Sequence, residues 1–303
     1  MGTTGELHTL NTLSITDVAW RENLGWRSPD LHRLEDQLLI PLMGHEPVEM
    51  GMSEELLLER LADAELYPPL FEAAYPGQAL TLENAGAAIA AYERTFVSGT
   101  SPYDRHLQGT EPMGAAAQRG LALFESQQLK CSRCHGGFFL DSPTNAAGDV
   151  TARHSYANVG RYDIDGAGTY PNDEQGLFEA TAAPTDTGAF RVPSLRNAAR
   201  SGPWGHDGTL RTLDDLLTAY ARGGRHVKSG PVPGDGALNP YKSELLTGFE
   251  LSDVDRADLL AFLEALVDEE MLSDPLYATP FCLEEDGEVV NAPCVPGWEA
   301  PRQ

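Results

Sequence analysis

Apolar positions along the chain recur at helical rather than strand spacing, and polar capping residues precede the periodic stretches. Ser53 stands before Glu54-Glu55-Leu56-Leu57-Leu58-Glu59-Arg60-Leu61, whose acidic first turn predicts a helix start. Thr81 does the same for a stretch in which Leu82, Ala85, Ile89, Tyr92 and Phe96 share one face. Both apolar stripes are expected to be core. A third helix is predicted over about 114–128, where Gly120, Leu123 and Phe124 give a small and apolar face suited to close packing. Thr212 caps Leu213-Asp214-Asp215-Leu216-Leu217, continuing to Tyr220, and Ser252 caps an amphipathic helix through about Glu270. Residues 1 to about 50, broken by Asn11, Gly25, Pro29, Pro41, Gly44 and Pro47, read as irregular. Residues 136–200 read as loops, with no alternation long enough for a sheet, and a tail follows residue 271. The expected fold class is all-α with long irregular loops.

At 303 residues the chain is long enough for two domains, each burying its own core. Hydrophobic residues make up 41% of it, and no run of about eighteen apolar residues is present to span a membrane. Acidic residues outnumber basic ones 46 to 21, and the net charge of -25 argues against nucleic acid or anionic lipid as a partner. A basic patch on a redox partner would complement it.

Cys131-Ser132-Arg133-Cys134-His135 is the one stretch that specifies a covalent chemistry by itself. It reads as a c-type haem attachment site. Two thiols three residues apart fall on one side of a turn and can form thioethers with the haem vinyls, and His135 is placed to ligate the iron. The other meaning of a CxxC pair, half of a zinc site, needs a second ligand pair at suitable spacing. The remaining cysteines, Cys282 and Cys294, lie far off in a Pro-rich tail. Covalent haem attachment belongs to an oxidising compartment, so a periplasmic location is expected, and there Cys282 and Cys294 could form a disulfide. The opening Met1-Gly2-Thr3-Thr4-Gly5-Glu6-Leu7-His8 has neither the basic start nor the apolar core of a signal peptide.

The sixth iron position decides between electron transfer and reaction with peroxide or oxygen. The methionines are Met1, Met43, Met50, Met52, Met113 and Met271, so residues 114–270 contain none. That leaves His154, His206, His226, a Tyr, a Lys or an open site. Tyr220 is the sharpest candidate, because it shares a helix face with Leu213, Leu216 and Leu217; a core Tyr with a satisfied hydroxyl is the alternative.

From about residue 3 to residue 275 the sequence resembles the di-haem cytochrome c peroxidase and MauG superfamily. The segments that carry the resemblance are Asn11-Thr12-Leu13-Ser14, Trp26, Leu34-Glu35-Asp36-Gln37, Pro47-Val48-Glu49-Met50-Gly51, Ala91-Tyr92-Glu93-Arg94-Thr95 and Ser101-Pro102-Tyr103-Asp104. They continue through Arg119-Gly120-Leu121-Ala122-Leu123-Phe124, the haem motif, the run Gly188 to Asn197, and His206-Asp207-Gly208. The run Ala157 to Gly166 and the Ser273-Asp274-Pro275 ending are most similar to the MbnH branch, whose di-haem enzymes oxidise a tryptophan of a partner protein to kynurenine.

The resemblance implies roles. Tyr220 falls where MauG has its tyrosine ligand, so the ligand reading leads. Glu49 and Gln37 match the distal acid-base glutamate and its companion at the peroxidatic haem, where a carboxylate takes a proton from peroxide and returns it. Trp26 matches the indole that relays electrons between the haems. Asn11, Val192 and Pro193 match an inter-haem calcium site. The role of His206 is open between a haem-edge hydrogen bond and a core contact.

The family has two haems, and this chain has one CxxCH, so one covalent haem c is expected here. The expectation is that the gene product is truncated or its start mis-assigned, since Gln37 and Glu49 are present without the haem they serve. Two cytochrome c-like domains are expected: residues 1–110, without a haem motif, and residues 111–270, holding the haem, followed by a tail over 271–303. The function the resemblance implies is a haem oxidoreductase that uses hydrogen peroxide to oxidise a residue of a partner protein. One alternative is ordinary cytochrome c peroxidase turnover with a small electron-donor protein; another is a single-haem electron carrier without catalysis.

Overall fold

The computed structural model describes residues 2–145, 147–151 and 155–278, and the backbone of residues 281–283 and 289–293. His154, Cys294 and the Cys282 side chain lie outside the described residues, and with them the expected disulfide. The chain forms two units: Met1–His8, Arg33–Phe96 and Glu270–Gln303 in one, Thr9–His32 and Val97–Glu269 in the other. The division is not one cut near residue 110, because residues 9–32 and 97–110 lie with the haem motif.

The first unit holds α1 (Leu34–Gln37), α2 (Leu39–Met43), α3 (Glu54–Asp63), α4 (Tyr67–Ala74) and α5 (Leu82–Glu93). The stretch up to residue 50 is therefore irregular only in part. Ser53 Oγ accepts the Leu56 amide at 3.2 Å, and Thr81 Oγ1 accepts that of Asn84 at 3.2 Å, so both predicted caps form. Of the two apolar stripes, however, only Ala85 is fully buried. α3 has no fully buried residue, and Ile89 and Tyr92 are 36% and 46% exposed. The buried face of α5 is Ala85, which belongs to the stripe, together with Gly86 and Ala90, small residues that let it approach Leu38 beside α1. Tyr92 and Phe96 serve a different purpose: Phe96 stacks on Tyr277 at 4.7 Å, and the Tyr277 hydroxyl donates to the Thr95 carbonyl at 2.6 Å. The segment expected to be a tail is thus partly packed.

The second unit contains α6 (Pro102–Leu107), α7 (Ala115–Glu125), α8 (Phe178–Thr181), α9 (Leu213–Arg222) and α10 (Asp253–Ala265). Its centre is the crossing of α7 and α10. A Cβ on Gly120 would lie 2.0 Å from the Asp258 carbonyl oxygen, so glycine is what permits this approach. Around it pack Tyr103, Phe124, Leu259, Phe262 and Leu266. Full burial of an aromatic side chain such as Phe262 contributes about 1.5–3 kcal/mol.

Capping boxes start three of these helices, pairing Ser101 with Asp104, Thr212 with Asp215, and Ser252 with Asp255. α10 ends at Ala265, short of the predicted Glu270, because Asp268 turns inward. Its carboxylate accepts the Gly99 and Thr100 amides at 2.8 and 2.9 Å, and its own amide donates to Asn197 Oδ1 at 2.7 Å.

Long-range polar contacts hold the early segment in this unit. Asp17, 1% exposed, accepts the Ser98 amide at 2.8 Å, and Arg196 grips Asp104 through two bonds of 2.8 and 2.9 Å. Strands are few and short. β1 (Tyr156–Asn158) pairs antiparallel with β2 (Ala189–Arg191), joining Tyr156 to Arg191, and β3 (His226–Val227) pairs with β4 (Gly234–Asp235). β1 and β2 form a short ribbon within the stretch read as loops. α11 (Glu269–Ser273) lies where the chain passes between units, and β5 (Phe281–Leu283) and β6 (Val289–Pro293) form the last antiparallel pair. The fold is mainly helical. Among the described residues no helix is long and apolar enough to cross a membrane.

Candidate functional site

α7 delivers the chain to the CxxCH motif. After its C-cap Ser126, Lys130 takes a left-handed conformation (φ 57°), and Cys131–Arg133 form a single 3-10 turn. The Cys134 and His135 amides both donate to the Cys131 carbonyl, at 3.2 and 2.9 Å. Both thiols are free, and burial raises their pKa values, that of Cys131 to about 12.

His135 Nδ1 sits 3.1 Å from the Leu140 carbonyl oxygen. A carbonyl only accepts, so Nδ1 carries the proton and Nε2 keeps its lone pair. Burial lowers the His135 pKa, with the Leu140 carbonyl opposing, which keeps the ring neutral at pH 7 and suited to a metal. The loop that supplies Leu140 is tightly closed: Gly136 and Ser142 exchange two backbone bonds of 2.8 and 3.1 Å. A Cβ on Gly136 would lie 2.1 Å from Thr144 Cγ2, so no larger residue fits there. Ser194 Oγ donates to the Phe139 carbonyl at 2.6 Å and Arg196 Nε to that of Phe138 at 3.0 Å.

On α9, Leu213 and Leu217 join the core and Tyr220 turns toward the motif. Burial raises the Tyr220 pKa, and Cys134 and Cys131 lie near enough to raise it further. A cavity of about 320 Å3 touches His135, Gly136, Leu140, Tyr103, Leu121 and Phe124; Cys131, Cys134 and Tyr220 do not line it. It flanks the motif on the side of α7. Two thiols, an imidazole protonated on Nδ1 and a phenol whose pKa both thiols raise are donors of the kind a covalently held haem c would use, with His135 and Tyr220 as its candidate iron ligands.

The other sequence-predicted residues divide between the two units. Gln37, at the end of α1, and Glu49 belong to the first unit; Glu49 is 3.4 Å from His8 Nε2 and partly exposed. Trp26 belongs to the second unit, where it packs on Tyr162, Tyr170 and Phe190 and donates from Nε1 to the Asn11 carbonyl at 2.6 Å. Asn11 Nδ2 donates to the Pro203 carbonyl at 2.7 Å, and its Oδ1 accepts the Thr12 amide at 3.0 Å. The Val192 amide donates to the Ser155 carbonyl at 2.9 Å, and the Pro193 carbonyl faces the His135 ring. Among the described residues no hydrogen bond joins Asn11 to Val192 or Pro193. Calcium at these oxygens stays an implication of the resemblance, and no step is derived through it.

His206 is a core contact in this structure. Its ring stacks on Phe190 at 3.5 Å with planes 9° apart, and Nε2 lies 3.1 Å from Glu174 Oε2. Beside it, Asp207 Oδ1 pairs with Arg161 Nη2 at 2.6 Å and Oδ2 accepts the Tyr162 hydroxyl at 2.8 Å. Glu174, His206 and Asp207 offer ligand atoms within 4.8 Å of one another. Arg161 already neutralises Asp207, so a cation would have to displace a guanidinium. Burial, the largest single influence, would raise the Asp207 pKa, but the Arg161 and His206 charges and the hydrogen bonds from Tyr162 and Arg161 together outweigh it and hold the carboxyl well below the usual range. Sequence reasoning assigned no role to Arg161, Glu174 or Asp207; Arg161 and Asp207 lay inside runs quoted for the resemblance.

Comparison with known proteins identifies the family. The sequence profile of the di-haem cytochrome c peroxidase family matches residues 1–112. Methylamine utilization protein MauG of Methylorubrum extorquens is 32% identical over 258 residues, which cover 84% of this chain and 64% of MauG. Cytochrome-c peroxidase IdrP1 of Denitromonas iodatirespirans is 32% identical over 280 residues, covering 88% of this chain and 70% of IdrP1. The crystal structure of a MauG-like protein associated with microbial copper homeostasis superposes with a TM-score of 0.86 at 38% identity, covering 92% of this chain and 81% of that one. The chain therefore belongs to the di-haem cytochrome c peroxidase and MauG family. It spans just under two thirds of the length of the Methylorubrum MauG.

Proposed function

We propose that this protein is a periplasmic haem c oxidoreductase that uses hydrogen peroxide to oxidise a residue of a partner protein, in the manner of MauG and MbnH. The observation that supports the proposal is that Tyr220 on α9 is buried and that Cys134 and Cys131 both act to raise its pKa, since a tyrosine in the sixth position would distinguish a MauG-type site from a Met-ligated one. Haem, when bound, supplies the redox chemistry. The chain's residues hold and orient it: Cys131 and Cys134 as thioethers, His135 through Nε2 with Leu140 fixing the ring, and Tyr220 from α9. Glu49, with Gln37 as companion, would serve the family's peroxidatic haem, a different one from that held at Cys131–His135, where it would take a proton from peroxide and return it to the leaving oxygen. Trp26, its indole fixed by the Asn11 carbonyl, relays electrons.

The presence of a single CxxCH favours a second reading, an electron carrier with both iron faces closed. One experiment separates them. The chain is expressed behind a signal peptide with haem-maturation proteins, its intact mass and ferric spectrum are read, and peroxide consumption is followed. One covalent haem, a six-coordinate low-spin ferric spectrum that Tyr220→Phe alters, and peroxide consumption that falls in Glu49→Gln support the proposal. A haem-loaded protein that leaves peroxide untouched overturns the enzyme reading in favour of the carrier, and a product without haem overturns both.

A further inference from the structure

The loop that aims the His135 ring carries a buried carboxylate at its apex. Leu140, whose carbonyl oxygen lies 3.1 Å from His135 Nδ1, is followed by Asp141 and then by Ser142, which exchanges two backbone bonds of 2.8 and 3.1 Å with Gly136. Asp141 is therefore fixed on both sides, by a residue bonded to the imidazole and by one bonded to the imidazole's chain neighbour. A buried carboxylate is costly unless a cation meets it.

The cation comes from far away in sequence. Arg21 closes the 3-10 turn Val18–Trp20, its amide donating to the Val18 carbonyl at 3.1 Å and its Nη2 to the Thr16 carbonyl at 3.2 Å. From there Nη1 reaches Asp141 Oδ2 at 2.5 Å, across 120 residues. The same guanidinium lies 6.0 Å over the ring of Phe139, on the loop itself. Both side chains are withdrawn from water, at 4% exposure for Arg21 and 10% for Asp141, so solvent and salt screen their charges weakly. A second guanidinium, that of Arg191, is near enough to act on both, and it stays constant in every variant below.

The pair differs in kind from the bonds that Ser194 and Arg196 make to the Phe139 and Phe138 carbonyls. Those bonds fix where the loop lies. Arg21 decides how much negative charge the loop presents to the imidazole, and charge beside an iron ligand is one of the levers on the metal's potential.

We propose that Arg21 is a positioning residue for the His135 ligand, holding Asp141 in place and offsetting its charge, and that the Arg21–Asp141 pair thereby tunes the reduction potential of a haem held at His135. The inference rests on the haem reading of the previous section.

The test is a spectroelectrochemical titration of the haem-loaded protein as wild type, Arg21→Gln, Arg21→Lys, Asp141→Asn and the double variant Arg21→Gln/Asp141→Asn, with covalent haem verified by intact mass. Ferric iron carries one more positive charge than ferrous, so a carboxylate left without its cation favours the ferric form. The midpoint potential therefore falls in Arg21→Gln, rises in Asp141→Asn, returns toward wild type in the double variant and stays near wild type in Arg21→Lys. A loop that merely loosens would move the two single variants in the same direction, so shifts of equal sign, or no shift, overturn the proposal. Should Arg21→Gln fail to mature, Asp141→Asn decides: a rise sustains the proposal, and an unchanged or lowered potential overturns it. A wild-type protein whose mass shows no haem removes the reading beneath it, an outcome visible before any potential is measured.

Discussion

Replacing Gly120 with alanine sets two effects of known size against each other. On helix propensity alone the change stabilises by about 0.8–1.0 kcal/mol. In the structure the new Cβ falls 2.0 Å from the Asp258 carbonyl oxygen and 2.8 Å from Phe262 Cβ, where anything under 3.0 Å is essentially never found. α7 and α10 must therefore part by roughly 1 Å, and a gap of ~0.5–1 Å forfeits about a quarter to a half of each dispersion contact. The contacts at risk are those of Phe262 and Leu259, which are 0% and 2% exposed. Because the clash is with backbone, the cost lies in the upper part of the usual overpacking range, about 2–3 kcal/mol, and the net effect is a loss of ~1–2 kcal/mol. At roughly 2–4 °C per kcal/mol for a domain of about 150–250 residues, thermal unfolding followed by far-UV circular dichroism should move down by ~2–8 °C. Gly99→Ala serves as the control, because no atom lies within 4 Å of its Cβ position. A Gly120→Ala protein as stable as wild type, or more so, would show that the helices do not meet as described.

Other outcomes follow from the buried polar groups and caps. Arg196→Met leaves Asp104 and Asp17 buried without their cation and should cost about 3–5 kcal/mol by denaturant titration, while adding Asp104→Leu recovers part of the loss. Thr212→Ala removes the cap of the helix that carries Tyr220 and should cost ~1 kcal/mol in the same assay. The pKa of His206 is lowered from 6.5 by burial, with Glu174 opposing. The unfolded chain then takes up a proton first as pH falls, so stability is lost on descending below 6.5 toward the folded value, and regained on return. His206→Gln should flatten the decline in melting temperature between neutral pH and about pH 5; a decline as steep as wild type would assign it to other groups.

What could be read from the residues alone was local. Ser53, Thr81, Thr212 and Ser252 cap helices because a hydroxyl three residues before a free amide needs no tertiary context. The CxxCH motif is legible for the same reason. Periodicity misjudged α5, since its buried face is chosen by small residues that allow approach, not by its largest apolar ones. The end of α10 was missed because Asp268 is claimed by Gly99 and Thr100, far away in sequence. Asp104 and Arg196 were both within segments quoted for the resemblance, yet nothing local says that they meet. The same holds for Arg161 and Arg225, whose proximity depends on a backbone bond between distant loops.

The short loop after His135 has an implication for protein engineering. Its carbonyls are held by Ser194 and Arg196, and Arg196 is itself anchored to Asp104. The smallest portable cassette for this ligand is consequently not the pentapeptide, nor even residues 131–142, but three stretches transplanted together: the motif and its loop, the strand exit carrying Ser194 and Arg196, and the helix start bearing Asp104. A graft of the motif alone into a new scaffold would carry the thiols without the clamp that aims the imidazole.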